Sequence, residues 1–132
     1  VDYDNSTLKL GDNNYILNLD TEKKIYNKNV DKFVSITGKI ENGDAEIVNG
    51  RIDVNLKYCE EKDGKCVWKE IFGYKRYYVN IDSNENYEIP SDELNITWEI
   101  PNNAPIGKYK FYIKTSFNAK EKTKSIYFNI TA

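Results

Sequence analysis

The sequence predicts an all-β protein: an antiparallel sandwich of seven or more strands with an N-terminal strand extension. Three observations carry this. Apolar residues recur with period two in run after run, and no long 3.6-period stretch interrupts them. Turn-forming clusters separate the runs: Asn42-Gly43, Asn49-Gly50, Asp63-Gly64, Asp82-Ser83-Asn84 and Pro101-Asn102-Asn103. A length of 132 residues makes one ordinary domain, large enough to bury a core without a metal. Eleven Tyr, five Phe and two Trp supply much of that core's area.

The elements follow in order. Leu8 and Leu10 suggest a short first strand, ended by Gly11-Asp12-Asn13. Tyr15, Leu17 and Leu19 then alternate with Ile16 and Asn18, so residues 14–20 read as a strand. This stretch stands apart from the later pattern, which assigns residues 1–20 to an extension and 21–132 to the sandwich. Val34, Ile36, Gly38 and Ile40 alternate with Phe33, Ser35, Thr37 and Lys39. Ile52, Val54, Leu56 and Tyr58 alternate with Arg51, Asp53, Asn55 and Lys57. Tyr77, Val79 and Ile81 repeat the pattern, as do Ile96, Trp98 and Ile100. Tyr109, Phe111 and Ile113 alternate with Lys108, Lys110 and Lys114, and Ile126, Phe128 and Ile130 close the series. One apolar and one polar face per run is what half-buried antiparallel strands require.

Composition narrows the function. Net charge is −2, from 19 basic and 21 acidic residues, which does not suit a nucleic-acid partner. No window holds 18 consecutive apolar residues, so no transmembrane helix is expected. With no His and only two Cys, His-based catalysis and the usual zinc sites are excluded. No nucleophile–base pair can be assembled, so the chain is not expected to be an enzyme and no cofactor is expected. The acidic groups around Asp2-Asp4, Glu41-Asp44-Glu46 and Asp82-Glu85-Glu88 lack calcium-loop spacing and read as solvated turns; no metal site is assigned. The chain begins at Val1 and contains no Met, which reads either as an artificial boundary or, the preferred expectation, as a mature protein after signal cleavage.

Several segments carry a resemblance. Lys24-Ile25-Tyr26 is followed by Val34-Ser35-Ile36-Thr37-Gly38 and then by Ile52-Asp53-Val54-Asn55-Leu56. Late in the chain stands Ile100-Pro101-Asn102-Asn103-Ala104-Pro105-Ile106-Gly107-Lys108-Tyr109, the most specific motif present. In this order, from about Asp20 onward, the chain resembles a macroglobulin-like or immunoglobulin-like domain of prokaryotic surface proteins, with Lys28-Asn29 where that pattern has Pro-Gly. The resemblance implies an immunoglobulin-like sandwich and an extracellular setting. Within the late motif Pro101 stops a strand, because it cannot donate to a ladder. Tyr109 would then open the next strand with a buried ring and a hydroxyl reaching backbone, as in a tyrosine corner.

The candidate sites follow. Cys59 and Cys66 flank a predicted four-residue turn, Glu61 to Gly64, that would set them opposite each other across a hairpin. In a surface-type fold they are expected to form a disulfide; two free thiols is the other reading. Asn5, Asn95 and Asn129 begin Asn-x-Ser/Thr sequons, and the strand phase puts Asn95 and Asn129 on polar faces where glycans could sit. Tyr74, Tyr77 and Tyr78 with Lys75 and Arg76 read either as a binding patch or as a strand covered on both faces, the latter being preferred. Leu8, Leu10, Tyr15, Leu17 and Leu19 are candidate contacts to another copy, reached by adding an N-terminal strand to a neighbour's sheet. Should 14–20 instead pair within its own sandwich, Leu8 and Leu10 become the donor residues. The expected function is a non-catalytic extracellular structural subunit of a cell-surface filament or layer, self-associating and carrying glycans. The alternative is an adhesin or a carbohydrate- or protein-binding surface module.

Overall fold

The structure, a computed structural model, describes residues 14–132. Its nine strands among those residues are β1 Tyr15–Thr21, β2 Ile25–Asn27, β3 Phe33–Asn42, β4 Ile47–Lys62, β5 Lys65–Ile81, β6 Asn86–Ile89, β7 Thr97–Glu99, β8 Gly107–Phe117 and β9 Lys120–Thr131. One sheet runs β1-β3-β6, with β7 pairing the other end of β3; the second runs β2-β9-β8-β4-β5. All ladders are antiparallel except β2 on β9. This is the expected antiparallel sandwich.

The period-two runs supply the core. Val34, Ile36 and Ile40 from β3 are fully buried with Val54, Leu56, Phe111, Ile113 and Phe117 from the facing sheet. Each such side chain contributes about 1.5–3 kcal/mol on leaving water. Rings concentrate at one end: Phe128 packs 5.4 Å from Tyr109, 5.5 Å from Phe111, 5.7 Å from Tyr26 and 6.4 Å from Trp98, centroid to centroid. Strands from both sheets therefore meet on one aromatic cluster.

Residues 14–20 do not form an extension. Strand β1 pairs with β3 from Tyr15↔Asn42 to Thr21↔Ile36, and Tyr15, Leu17 and Leu19 are buried in this chain's own core. The Tyr15 hydroxyl exchanges a hydrogen bond with Thr115 Oγ1 at 2.8 Å and donates to the Lys120 carbonyl at 3.0 Å. The boundary at residue 20 thus falls inside a strand, and the three apolar side chains are core rather than contacts to another copy. Alternation showed that this segment has an apolar face. It could not show that the partner is β3.

Tyr109 makes the tyrosine corner. Its ring is fully buried and its hydroxyl donates to the Pro105 carbonyl, four residues upstream, at 2.6 Å. Burial pushes its phenol up to about 12. A phenol raised in the folded state leaves stability whole below the unfolded value near 10 and erodes it as pH climbs from there towards 12. Tyr109→Phe is expected to cost about 1 kcal/mol at neutral pH, the net value of one hydrogen bond. It should also flatten the loss of stability between pH 10 and 12. Because Tyr15 and Tyr77 are raised by burial too, the slope should shrink rather than vanish. Urea unfolding at stepped pH checks this, and an unchanged slope would refute it.

Candidate functional site

Strand β5 is the outer strand of the five-stranded sheet and pairs only with β4 among the described residues. Seventeen residues of backbone therefore present one unpaired row of N–H and C=O groups. Large apolar side chains line this strand in the open: Val67 and Ile71 at 38%, Tyr74 at 58% and Tyr78 at 59% exposure. Lys65, Lys69, Lys75 and Arg76 are interspersed, the usual guard against indiscriminate edge pairing. The preferred reading of Tyr74–Tyr78 as a strand covered on both faces is corrected here. Tyr74 and Tyr78 are exposed, because an edge strand has no neighbour on its far side to shield long side chains.

The far end of this hairpin is stapled. Asp63 and Gly64 take φ of 53° and 77°, a two-residue turn whose twist suits paired strands. A disulfide joins Cys59 to Cys66 with Cα atoms 5.0 Å apart. The four-residue turn expected from the sequence is not formed. Cys59 stands opposite Trp68 and Cys66 opposite Glu61, so the bond crosses the ladder diagonally.

Strand register assembles a second feature on the outward face of this sheet. Lys57 on β4 lies opposite Lys110 on β8, which lies opposite Tyr127 on β9. Lys110 Nζ sits 4.3 Å from the Trp68 ring centre, Lys108 Nζ 4.8 Å from Tyr127 and Lys57 Nζ 5.6 Å from Tyr112. Trp68 and Tyr127 are themselves 6.1 Å apart. None of these three lysines has a carboxylate within 4 Å among the described residues. Further along β4, Asp53 is 4% exposed and is held by Arg76 Nε at 2.7 Å and Arg51 Nε at 3.4 Å. Asn55 is equally buried, and its Oδ1 has no hydrogen-bond partner among the described residues. The polar face of β4 is thus partly buried, which the expectation of a solvated face missed.

The remaining candidates are scattered. Asn95 and Asn129 are exposed, and Thr97 Oγ1 donates to Asn95 Oδ1 at 2.7 Å. Asn5, Leu8 and Leu10 lie outside the described residues. Asp44 pairs with Lys120 at 2.9 Å, whereas Glu41 is buried in β3, 3.9 Å from Lys39, and so is not a solvated turn residue. Among the described residues no three carboxylates or thiols converge as metal ligands.

No family model and no curated protein matches the chain. Solved structures do resemble it. The sporulation control protein Spo0M of Bacillus subtilis aligns over 89% of this chain at 16% identity and a TM-score of 0.58. The chain spans about half of that structure, 49% of its length. A CARDB domain from Pyrococcus furiosus, described in complex with di-metal ions, aligns over 99% of this chain and all of its own length, at 14% identity and a TM-score of 0.57. A mutant β-glucosidase of Listeria innocua, in complex with laminaribiose, aligns over 90% of this chain and 16% of its own, at 10% identity and a TM-score of 0.53. At 10–16% identity these likenesses carry the architecture alone: the chain is an immunoglobulin-like β-sandwich.

Proposed function

We propose that the chain is a non-catalytic extracellular structural subunit that associates with its own copies by strand addition at β5. The observation that carries this is the 17-residue outer edge of β5, with four large apolar side chains in the open. An added strand gains main-chain hydrogen bonds along that row and covers those side chains. Since Tyr15, Leu17 and Leu19 are committed to the chain's own core, the donor is the stretch around Leu8 and Leu10. Donor and acceptor are different surfaces, so the contact is heterologous and repeats into a filament. The Cys59–Cys66 disulfide supports an oxidising, non-cytoplasmic setting. In the described residues no helix is long and apolar enough to cross a membrane. Glycans at Asn95 and Asn129 complete the proposal.

Electron microscopy of three proteins tests it. The full chain is expected to form filaments; deletion of residues 1–13 and the edge variant Ile71→Lys are each expected to leave monomers. Filaments from the truncated chain, or none from the full chain, would sink strand donation. Intact mass of native subunits tests the glycans: a value equal to the bare 15.4 kDa removes them from the proposal. A second reading, a surface module that binds glycan or protein, is supported by the lysine–aromatic face of the same sheet.

A further inference from the structure

We infer that the outward face of β4, β8 and β9 binds an acidic polysaccharide, a glycan chain bearing carboxylates. The inference rests on the second reading above and is independent of polymerisation.

Charge segregation is the first argument. The whole chain is acidic, yet the outward positions of β4, β8 and β9 set Arg51, Lys57, Lys108, Lys110 and Lys114 against Asp53, Glu61 and Glu121, with Glu70 of β5 opposite Lys57. Both arginine neighbours of Asp53 are already engaged by it, and Lys114 lies 3.8 Å from Glu121. Lys57, Lys108 and Lys110 have no carboxylate within 4 Å among the described residues.

Placement is the second. A lysine on an open surface samples many rotamers, and ordering it against a ligand costs entropy. Here each ammonium rests over a ring of Tyr112, Tyr127 or Trp68, which narrows its range before a ligand arrives. Register fixes the geometry. Lys57 and Lys110 are directly opposed across two strands, and Lys108 follows Lys110 on the same face, about 7 Å along β8. The three form a short cationic row on a rigid sheet.

The third argument separates glycan from nucleic acid. Single strands bind by stacking bases on open aromatic faces. These rings each carry an ammonium on one face, so they serve the lysines rather than a base. The unpartnered Oδ1 of Asn55, opposite Tyr112 in the ladder, needs a donor. Hydroxyl-rich sugars supply such donors once the neighbouring side chains shift.

Biolayer interferometry on immobilised polygalacturonate tests the inference, using the recombinant, unglycosylated full chain, with dextran and oligo(dT) surfaces alongside. Binding to polygalacturonate is expected, weakening steeply as salt rises. The triple variant Lys57→Gln, Lys108→Gln, Lys110→Gln should lose at least tenfold in affinity, whereas Lys110→Arg, which keeps the charge, should retain it. Unchanged thermal unfolding of the triple variant shows that the fold is intact. Equal or tighter binding to oligo(dT), or an unaffected triple variant, overturns the inference. Preference for dextran overturns the acidic ligand and leaves the binding-module reading standing; no binding to dextran or polygalacturonate overturns the inference together with the glycan-binding part of that reading.

Discussion

Gly38→Ala is expected to destabilise the protein by about 3–5 kcal/mol, in the range that marks a specific structural conflict rather than ordinary tolerance. Two causes add. Gly38 takes φ of +132°, a backbone state that residues with a Cβ rarely adopt and that costs about 1–3 kcal/mol when forced. A Cβ there would also stand 2.1 Å from the Asn18 carbonyl oxygen and 3.1 Å from Leu19 Cα, both backbone atoms of the paired strand β1. Backbone cannot swing aside as a side chain can, so β1 must move off β3 or the ladder must break. Gly64→Ala is the control. Its φ is +77°, but nothing lies within 4 Å, so only the backbone strain of about 1 kcal/mol applies. Urea unfolding of both variants against the parent checks this. Equal losses at the two sites would show that β1 does not approach β3 at Gly38.

That glycine also shows what a sequence can and cannot display. Val34-x-Ile-x-Gly announced a strand, and the strand exists; nothing in the spacing said that the glycine admits a neighbouring backbone. Asn49-Gly50 is the reverse case. It reads as a turn but lies inside β4 at a register shift between Ile47 and Gly50, where Asn49 takes φ of 51°. A Cβ on Gly50 would stand 2.5 Å from Phe117 Cδ1, so this glycine makes room for a ring from another strand. Local chemistry was right in kind and wrong in element, because bulges and turns favour the same residues. The stretch 67–73 of β5 was hidden for another reason. Residues 65–76 form an open edge with exposed side chains on both faces, so no apolar alternation marks them. The lysine–aromatic face was not legible at all. Lys57 and Lys110 are 53 positions apart in sequence, and only the register of β4 with β8 sets them side by side. Period-two reasoning sorts residues into inner and outer faces but is silent on which outer residues meet.

Phe128→Ala is expected to cost about 3–5 kcal/mol, the usual range for removing a buried ring and leaving its cavity. Phe128 is 1% exposed and is the common neighbour of four rings. Tyr109 stacks on it at 15° between planes, and Tyr26 meets it edge-on at 81°. Such pairs add about 0.5–1.5 kcal/mol beyond the area they bury, so several favourable geometries go with one side chain. The neighbours come from β2, β7 and β8, on both sheets, and their ring positions are fixed by separate backbones. Collapse into the vacated space is therefore restricted, which places the cost towards the upper end of the range. For a domain with a total stability of about 5–15 kcal/mol, that is enough to populate the unfolded chain measurably at 37 °C. Phe128→Leu keeps most of the volume and should lose appreciably less. Phe33→Ala removes a phenyl group that is 53% exposed, and should fall within about 0.5 kcal/mol of the parent. Urea midpoints at constant slope give all three values. A loss below about 1 kcal/mol for Phe128→Ala would mean that the ring cluster does not join the two sheets, and with it would go the rigid support on which the lysine row of β4 and β8 depends.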